Sequence, residues 1–306
     1  MKQLAERICA VVVTYNRKEL LRVCLDAVLS QTRAVDAVLV IDNASADGTA
    51  AMVAAEYPAA ELLALPENIG GAGGFHEGVR AAYADGRQFD WVWLMDDDGI
   101  PARDCLEKLL AHRRPFSALV PVQQEETGKA HGISIWNGRV DQDQAAEIAE
   151  RGQPVAGDYI FTFVGPLIAR SVIEKIGLPA KEFFIFFDDS DYALRIREAG
   201  GTIVVVPAAV MSHPHGKPRP VRFLWHARDR NLSVPWKCYY STRNSLYLLM
   251  RGRHKLDVLA NYFFAQLKHL LGDMMYEPLR WQCLRMHLKA MWDGARGNLG
   301  KRVAPH

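Results

Sequence analysis

The sequence of 306 residues has few cysteines, no long apolar run and no strong excess of charge of either sign. Its five cysteines (Cys9, Cys24, Cys105, Cys238 and Cys283) are widely spaced, and no two of them form a C-x-x-C pair. Isolated thiols of this kind fit a reducing compartment and argue against a disulfide framework or a zinc site. A chain of this length can bury a stable core without such cross-links.

No stretch of about 18 uninterrupted apolar residues occurs, so the sequence predicts no transmembrane helix. The N-terminus also lacks the pattern of a signal peptide. Its apolar run at residues 8–13 is short, and the polar residues Thr14, Tyr15 and Asn16 follow at once. We therefore expect a buried first strand in a cytoplasmic protein.

Charge is balanced over the whole chain but divided unevenly along it. The 37 Lys and Arg against 35 Asp and Glu leave a formal net charge of +2, which gives no indication of a nucleic acid partner. Residues 245–306, however, hold ten Lys or Arg and four Asp or Glu, and residues 256–275 have the spacing of an amphipathic helix. This basic region either docks on an anionic membrane surface or forms a core-covering or homo-oligomerising pair of helices.

Short apolar runs alternate with helix-like segments through the first third of the chain, which predicts a mostly parallel α/β sheet. The strands are expected at residues 8–13, 37–41, 61–65 and 91–95. Ligands of such sheets bind at the carboxyl ends of the strands, and each of these ends is polar here. Farther along, residues 122–156 are rich in Gln, Glu, Gly and Asp and are predicted to form a loop-like excursion. Prolines near residue 220 then place a domain boundary at residue 222, before a mainly helical region over residues 223–306.

Three consecutive carboxylates, Asp96-Asp97-Asp98, follow the fourth strand and are the strongest chemical signal in the sequence. Like charges this close raise one another's pKa unless a cation neutralises them. In extended backbone, Asp96 and Asp98 point the same way, so both can bind one hard ion such as Mg²⁺ or Mn²⁺. The alternative is an acidic turn that caps the next helix.

A second acidic cluster, Asp188-Asp189-Ser190-Asp191, follows the aromatic run at residues 183–187. A carboxylate at the edge of an apolar wall is partly desolvated, which raises its pKa and suits it to act as a general base. Alternatively, one of these acids only caps the helix expected over residues 191–200. Both interpretations hold if Asp189 faces the cleft.

A glycine-dense stretch, Asn68-Ile69-Gly70-Gly71-Ala72-Gly73-Gly74-Phe75, comes before a predicted helix. Its N–H groups can approach a diphosphate at the positive end of that helix, or it is a plain flexible turn. It lacks the G-x-G-x-x-G spacing and follows the third strand, which argues against a dinucleotide oxidoreductase. Later in the chain, His213-Pro214-His215 favours an anion or metal role. Arg243 either pairs with an acid or a phosphate or is a helix-start residue without chemistry.

Together these motifs resemble family 2 glycosyltransferases, which have the GT-A fold and invert the anomeric centre. The resemblance spans residues 8–245 and rests on the first strand with its Thr14-Tyr15-Asn16-Arg17 end, the acidic triplet and the Phe186-Phe187-Asp188-Asp189-Ser190-Asp191-Tyr192 stretch. The glycine stretch, the Asp188-Asp189 pair, the later histidine and the Tyr239-Tyr240-x-x-Arg243-Asn244 stretch are most like bacterial galactofuranosyltransferases. Rhamnosyltransferases of polysaccharide assembly are close relatives.

The resemblance implies a role for each cluster in a catalytic domain over residues 1–222, with a nucleotide-sugar half (1–112) and an acceptor half (113–222). Asp96, Asp98 and His213 would bind Mn²⁺ or Mg²⁺ on the donor diphosphate, and Asp189, beside Asp188, would be the general base. A shift by one position is open at Asp188/Asp189, and His215 is the alternative to His213. The residues implied to bind the nucleotide sugar are Thr14, Tyr15, Asn16, Arg17, Asp42, Asn68, Gly70, Gly71, Gly73, Gly74 and Asp97.

The resemblance further implies transfer of galactofuranose from UDP-galactofuranose to a glycan or polyprenyl-linked glycan of a surface polysaccharide. The alternative donor is dTDP-rhamnose. We expect addition of one or a few sugars, because long-chain polymerising relatives have extra N-terminal domains. The basic C-terminal helices would hold the enzyme at the inner face of the cytoplasmic membrane.

Acceptor contacts are predicted for Trp136 and Phe163, although Trp136 could equally anchor a loop. Two other classes of protein remain as alternatives. A nucleotidyltransferase would release pyrophosphate, and a non-catalytic nucleotide-sugar binder does not need the intact acids of both clusters.

Overall fold

A computed structural model of the chain describes residues 6–136, 140–214, 219–223, 226–230, 233–252 and 256–305. The chain divides into two compact units. The sheet unit comprises Met1–Trp136, Asp141–Lys181 and Asp188–Pro214, and the helical unit comprises Asn137–Val140, Glu182–Phe187 and His215–His306. The chain therefore leaves the sheet unit after Lys181 and returns to it at Asp188, the first residue of the second acidic cluster. The division at residue 222 that the sequence suggests stays a prediction.

The first third of the chain forms the expected alternation of strands and helices, in which runs of aliphatic residues make the buried central strands. The elements are β1 (Ile8–Thr14), α1 (Lys18–Leu29), β2 (Ala37–Asp42), α2 (Thr49–Glu56), β3 (Ala60–Ala64), α3 (Gly70–Ala84) and β4 (Trp91–Asp96). Strand β1 pairs in parallel with β2 and with β4, so that Thr14 lies opposite Asp42 and Val13 lies opposite Asp96. This register brings the polar ends of three strands together.

The rest of the sheet unit is more regular than the sequence indicated. Its elements are β5 (Ile100–Pro101), α4 (Cys105–Leu110), β6 (Ser117–Gln124), β7 (Ala130–His131), β8 (Ile133–Trp136), β9 (Val140–Asp143), α5 (Ala145–Arg151), β10 (Val155–Gly157), β11 (Tyr159–Phe161), β12 (Leu167–Ala169), α6 (Arg170–Ile176), α7 (Asp188–Glu198) and β13 (Thr202–Ser212). The loop-like excursion expected over residues 122–156 is therefore wrong. The short strands within residues 122–156 bury few apolar side chains, such as Ile133 of β8, so the sequence of this segment looks polar.

The main sheet has the strand order β10-β13-β6-β12-β4-β1-β2-β3, with β5 beside β13 and β7 beside β6. Strands β1 to β4 run parallel, whereas β12 is antiparallel to both β4 and β6. This mostly parallel sheet with helices confirms the α/β fold class. Strand β13 continues past an irregularity after Val206 as far as Ser212, and this extension determines where His213 lies.

The helical unit contains the C-terminal helices that the sequence predicted. Its elements are β14 (Arg219–Phe223), β15 (His226–Arg230), α8 (Pro235–Arg251), α9 (Leu256–Tyr276) and α10 (Arg280–Ala295). Helices α8 and α10 approach closely at Gly294, where an added Cβ would lie 2.7 Å from the carbonyl oxygen of Arg243. Within the described part of the chain, no helix is both long enough and apolar enough to cross a membrane.

Candidate active site

A hydrogen bond between Thr14 and Asp97 joins the carboxyl ends of β1 and β4. Thr14 Oγ1 donates to Asp97 Oδ2 at 2.7 Å, and the Asp97 amide donates to the Val13 carbonyl at 3.1 Å. Both side chains are buried. Burial raises the pKa of Asp97, and the hydrogen bond from Thr14 and the charge of Arg17 offset part of that effect. Asp97 therefore connects the two strands at the edge where the polar residues collect.

Arg17 bridges two members of the acidic triplet. Its Nη1 lies 3.3 Å from Asp97 Oδ1 and 2.7 Å from Asp98 Oδ2, and its side chain is half exposed. Asp96 is the last residue of β4, whereas Asp97 and Asp98 lie in the turn that follows. The extended backbone expected across the triplet is therefore wrong, and Asp98 reaches its partners from a turn.

His213 faces the same turn from the end of β13. Its Nε2 lies 3.4 Å from Asp98 Oδ1, and no residue in the described part of the chain makes a hydrogen bond with its buried Nδ1. Burial opposes ionisation of Asp98, but the hydrogen bond and charge of His213, together with Arg17, outweigh it and lower the pKa of Asp98. An ionised carboxylate beside an imidazole nitrogen is a donor set that a divalent metal ion can use. His215, the alternative to His213, lies outside the described residues.

Of the three acids in the triplet, Asp96 has the most strongly raised pKa. Burial raises its pKa well above the usual range, and the charges of Asp98, Asp97 and Asp188 raise it further. A bound divalent cation would stabilise the ionised form of Asp96 and lower its pKa again. The residues Asp96, Asp98 and His213 therefore fit Mn²⁺ or Mg²⁺ in their chemistry.

The ligand atoms of Asp96, Asp98 and His213 do not all lie within 4.8 Å of one another in this structure. Among the described residues, the set of three potential ligands whose atoms all lie within 4.8 Å of one another is Cys238, Asp273 and Cys283 in the helical unit. Asp273 there already accepts hydrogen bonds from Ser233 at 2.7 Å and from His287, whose Nε2 lies at 2.8 Å. These contacts account for that buried carboxylate without an ion.

Helix α7 begins at Asp188, three residues earlier than the sequence predicted, so both acids of the pair lie in its first turn. Asp189 Oδ1 accepts hydrogen bonds from the Ser190 amide at 2.6 Å and from Ser190 Oγ at 3.2 Å. Burial raises the pKa of Asp189 to about 6, although these bonds oppose the rise. Burial and the charge of Asp189 raise the pKa of Asp188 well above its usual range. The partly exposed Asp189 is therefore better suited than the buried Asp188 to exchange a proton with a substrate.

The glycine-dense stretch is the start of a helix and not a loop, which corrects the prediction. Helix α3 begins at Gly70, and a Cβ at Gly74 would lie 2.5 Å from Val13 Cγ1 of β1. A Cβ at Gly73 would lie 2.6 Å from Ile69 Cγ1, whereas one at Gly71 would meet nothing within 4 Å. Gly73 and Gly74 therefore serve close packing, whereas the space around Gly71 would admit a side chain.

Asparagine side chains hold the start of α3 against the end of β2. Asn43 Nδ2 donates to the Gly70 carbonyl at 2.8 Å, and Asn43 Oδ1 accepts from the Ile69 amide at 2.9 Å. The Gly70 amide donates to Asn68 Oδ1 at 2.8 Å. The Gly70 N–H group therefore already donates a hydrogen bond within the protein. Asn43 had no predicted role, and the signal that could have found it is its position directly after a strand end.

The remaining predicted nucleotide-sugar residues line the edge formed by β1 and β2. Asn16 has a positive φ of 53° and accepts a hydrogen bond from the Ala46 amide at 2.7 Å. Buried Asp42 accepts from the Ser45 amide at 2.9 Å, while the side chain of Tyr15 is 44% exposed. These contacts hold the loops after β1 and β2 next to each other.

The predicted acceptor residues have different surroundings. Phe163 is buried, and its ring centroid lies 4.7 Å from that of Phe75 and 5.9 Å from that of Tyr192. Its ring therefore packs against these two side chains, and the acceptor contact that the sequence suggested for it stays a prediction. Trp136 is the last residue of β8, and its acceptor role stays a prediction.

Comparison with known proteins identifies relatives over most of the chain. A family model described as Glycosyl transferase family 2 matches residues 9–127. Galactofuranosyltransferase GlfT1 of Mycolicibacterium smegmatis is 32% identical over 219 residues, which are 69% of this chain and 72% of that protein. The dTDP-rhamnosyl transferase RfbF of Shigella flexneri is 23% identical over 295 residues, which are 96% of this chain and 97% of that protein.

A solved structure shares the fold. The mannosyltransferase PcManGT from Pyrobaculum calidifontis, in complex with GDP-Man and Mn²⁺, matches with a TM-score of 0.55 and 18% identity. The match covers 94% of this chain and 87% of that one. At this identity the likeness concerns the fold, which is the GT-A arrangement that the sequence predicted.

Proposed function

Since this chain belongs to glycosyltransferase family 2 and is a glycosyltransferase, we propose that it transfers galactofuranose from UDP-galactofuranose to a glycan acceptor. The similarity to GlfT1 supports the choice of sugar. The observation that carries the proposal is the meeting of Arg17 and His213 at Asp98, whose carboxylate oxygens lie 2.7 Å from Arg17 Nη1 and 3.4 Å from His213 Nε2. The acidic triplet would serve the donor diphosphate, and the Asp188-Asp189 pair would serve the acceptor hydroxyl.

The donor end of the site is formed by the turn after β4. Asp96, Asp98 and His213 would hold Mn²⁺ or Mg²⁺, which when bound supplies positive charge for the departing diphosphate. Arg17 is half exposed and contacts Asp98, so its guanidinium can also bind a phosphate oxygen of the donor. Thr14 and Asp97 hold these residues in place from buried positions.

Asp189 is the proposed general base. It would take the proton of an acceptor hydroxyl, whose oxygen attacks the anomeric carbon from the face opposite the diphosphate. The bond from that carbon to the diphosphate breaks, and the anomeric configuration inverts. A pKa raised to about 6 keeps Asp189 ionised at neutral pH while making it a stronger base than an ordinary aspartate.

A second donor, dTDP-rhamnose, is favoured by the match to RfbF, which extends over almost the whole chain. The two donors differ in base and sugar, so a direct comparison distinguishes them. The purified protein should be incubated with UDP-galactofuranose and with dTDP-rhamnose, each with Mn²⁺ and with Mg²⁺. Release of the nucleoside diphosphate is then measured with and without a glycan acceptor.

The variant Asp189→Asn tests the chemistry in the same assay. It should lose about 10²–10⁴-fold in transfer rate, the usual contribution of general-base catalysis, while still binding the donor. The matched control is Asp158→Asn, which removes an exposed carboxylate that pairs with Arg197. Transfer by Asp189→Asn at the wild-type rate would rule out the base assignment. Release of UDP only from another nucleotide sugar would rule out the donor.

We further propose that the acceptor is lipid-linked and that α10 meets an anionic membrane on the cytoplasmic side. Trp281, Leu288 and Trp292 are 58–62% exposed along this helix, and Arg280 and Arg285 are exposed beside them. Apolar side chains flanked by basic ones are typical of helices that lie in a membrane interface.

Binding to vesicles tests this surface. Reversing the charges of Arg280, Arg285 and Lys289 should abolish sedimentation with vesicles that contain anionic lipid. Reversing Arg80, Arg113 and Arg151 of the sheet unit changes the net charge equally and should leave sedimentation unchanged. Equal losses in both triple variants would indicate a general charge effect and contradict a specific surface.

A further inference from the structure

Asn244 of α8 contacts the backbone of the aromatic segment, Glu182–Phe187, that leads into Asp188. Its Nδ2 lies 3.0 Å from the carbonyl oxygen of Phe183, 2.8 Å from that of Ile185 and 2.9 Å from that of Phe186. An amide has two N–H donors, so at least one of them is shared between two carbonyls. The Asn244 side chain is fully buried, and all of these contacts lie within the helical unit.

Arg243 determines which way the Asn244 amide faces. Arg243 Nε donates to Asn244 Oδ1 at 2.8 Å, which leaves the Asn244 NH₂ group directed to the carbonyls. The Nη groups of Arg243 donate to the carbonyls of Phe183 at 2.9 Å and Gly300 at 2.6 Å. Arg243 is therefore neither an anion site nor a residue without a role, the two alternatives that the sequence left open. A buried guanidinium is costly unless its donors are used, and here they are used on backbone carbonyls.

The aromatic segment has an unusual backbone that needs such support. Phe184, Phe186 and Phe187 have φ values of 67°, 66° and 66°. Residues other than glycine rarely adopt this left-handed region, because Cβ then crowds a carbonyl oxygen. Backbone of this kind persists only where its surroundings specify it, and it concentrates near functional sites. In this structure, the hydrogen bonds that Asn244 and Arg243 donate to its carbonyl oxygens hold the segment in this conformation.

We propose that Asn244 is a positioning residue for glycosyl transfer, because it fixes the backbone from which the chain enters α7. The inference rests on the proposed function, in which Asp189 takes the acceptor proton. The segment that Asn244 holds leads directly into the acidic pair, because Phe187 and Asp188 are joined by a peptide bond. A displacement of about 1 Å at a reacting group can cost about 100-fold in rate, so a loosened segment should affect turnover.

The test is Asn244→Asp, which keeps the size of the side chain but replaces the N–H donors with an oxygen that repels the three carbonyls. We expect the turnover number for transfer to fall 10- to 100-fold, while the dissociation constant for UDP, measured by calorimetry, changes less than twofold. Hydrogen exchange should become faster in peptides covering residues 183–190 and stay unchanged in α10.

The matched control is Thr242→Val in the same helix. It removes the hydrogen bonds of Thr242 Oγ1 with His287 Nδ1 at 2.9 Å and with Gln266 Oε1 at 3.5 Å, and neither partner belongs to the aromatic segment. It should lower the melting temperature without changing turnover or exchange at residues 183–190. Equal losses of turnover in the two variants would overturn the proposal, because the effect would then be one of general stability.

A milder variant keeps the test valid if Asn244→Asp does not fold. Asn244→Gln retains the amide on a longer side chain and should show a smaller loss of turnover with faster exchange of the segment. Wild-type turnover together with wild-type exchange in Asn244→Gln would overturn the proposal. Asp189→Asn separates the two hypotheses: if it keeps full activity, the general-base assignment fails, whereas loss in Asp189→Asn alone contradicts only the role of Asn244.

Discussion

His213 Nε2 lies 3.4 Å from Asp98 Oδ1, although the two residues follow strands in different halves of the sheet unit. The pair exists because β13 extends to Ser212 and the turn after β4 directs Asp98 toward it. Its chemistry, an ionised carboxylate beside an imidazole, is the part of the site that best fits a metal ion.

The first prediction concerns this pair. His213→Ala should weaken Mn²⁺ binding at least about tenfold, which corresponds to ~1.4 kcal/mol, because one ligand of the proposed set is lost. Titration of Mn²⁺ followed by electron paramagnetic resonance measures this without requiring activity. His112→Ala is the control, since His112 follows α4 and belongs to no part of the site. Unchanged Mn²⁺ affinity in His213→Ala would remove His213 from the ligand set.

The second prediction is a pH dependence of turnover. Asp189 must be ionised to accept a proton, and burial raises its pKa to about 6. Turnover should therefore be constant near neutral pH and fall tenfold per pH unit below about 6. Rates at saturating donor between pH 5 and pH 8 measure this. A profile that bends near pH 4 would show that Asp189 is an ordinary carboxylate or is not the base.

The third prediction concerns stability. Because the pKa of Asp189 is higher in the folded chain than its ordinary value of 3.8, the folded state binds the proton more tightly than the unfolded state. Ionisation at neutral pH therefore costs stability, by up to ~3 kcal/mol, and this cost shrinks as the pH falls below about 6 and is gone below the ordinary value of 3.8. Asp189→Asn should consequently melt at a higher temperature than the wild type at pH 7.5, and the difference should shrink at pH 5. A lower melting temperature at pH 7.5 would contradict the raised pKa.

The fourth prediction concerns the packing of the glycine-dense stretch. Gly74→Ala places a methyl group against Val13 and should lower the free energy of unfolding by about 1–3 kcal/mol. Gly71→Ala has open space around its Cβ and should be neutral or slightly stabilising. Urea unfolding measures both. Combining Gly74→Ala with Val13→Ala should recover part of the loss, and failure to recover any would argue against direct crowding.

Much of the donor half of the site follows from local sequence patterns. A buried apolar strand that ends in a polar residue is visible at Thr14, at Asp42 and at Asp96, and parallel pairing brings such ends to one edge. The acidic triplet and the Asp188-Asp189 pair were recognisable for the same reason, since each directly follows an apolar run. Their approximate positions did not depend on distant contacts.

Other features depended on residues far apart in the chain. The role of Gly74 is set by Val13 on β1, and that of the Asn244 amide by the carbonyls of Phe183 to Phe186. The residues 122–156 appeared loop-like because their short strands find partners elsewhere, as β8 does in β11. No local pattern contains this information.

The sequence by itself determined the α/β class, the family and the carboxylates available for chemistry, because period, apolar runs and motif spelling are properties of adjacent residues. Only the tertiary structure decided that α7 starts at Asp188, that His213 meets Asp98 and that Asn244 holds the segment before the acidic pair. Burial, hydrogen bonding and pKa arise from what surrounds a side chain, and those surroundings form when distant segments pack together.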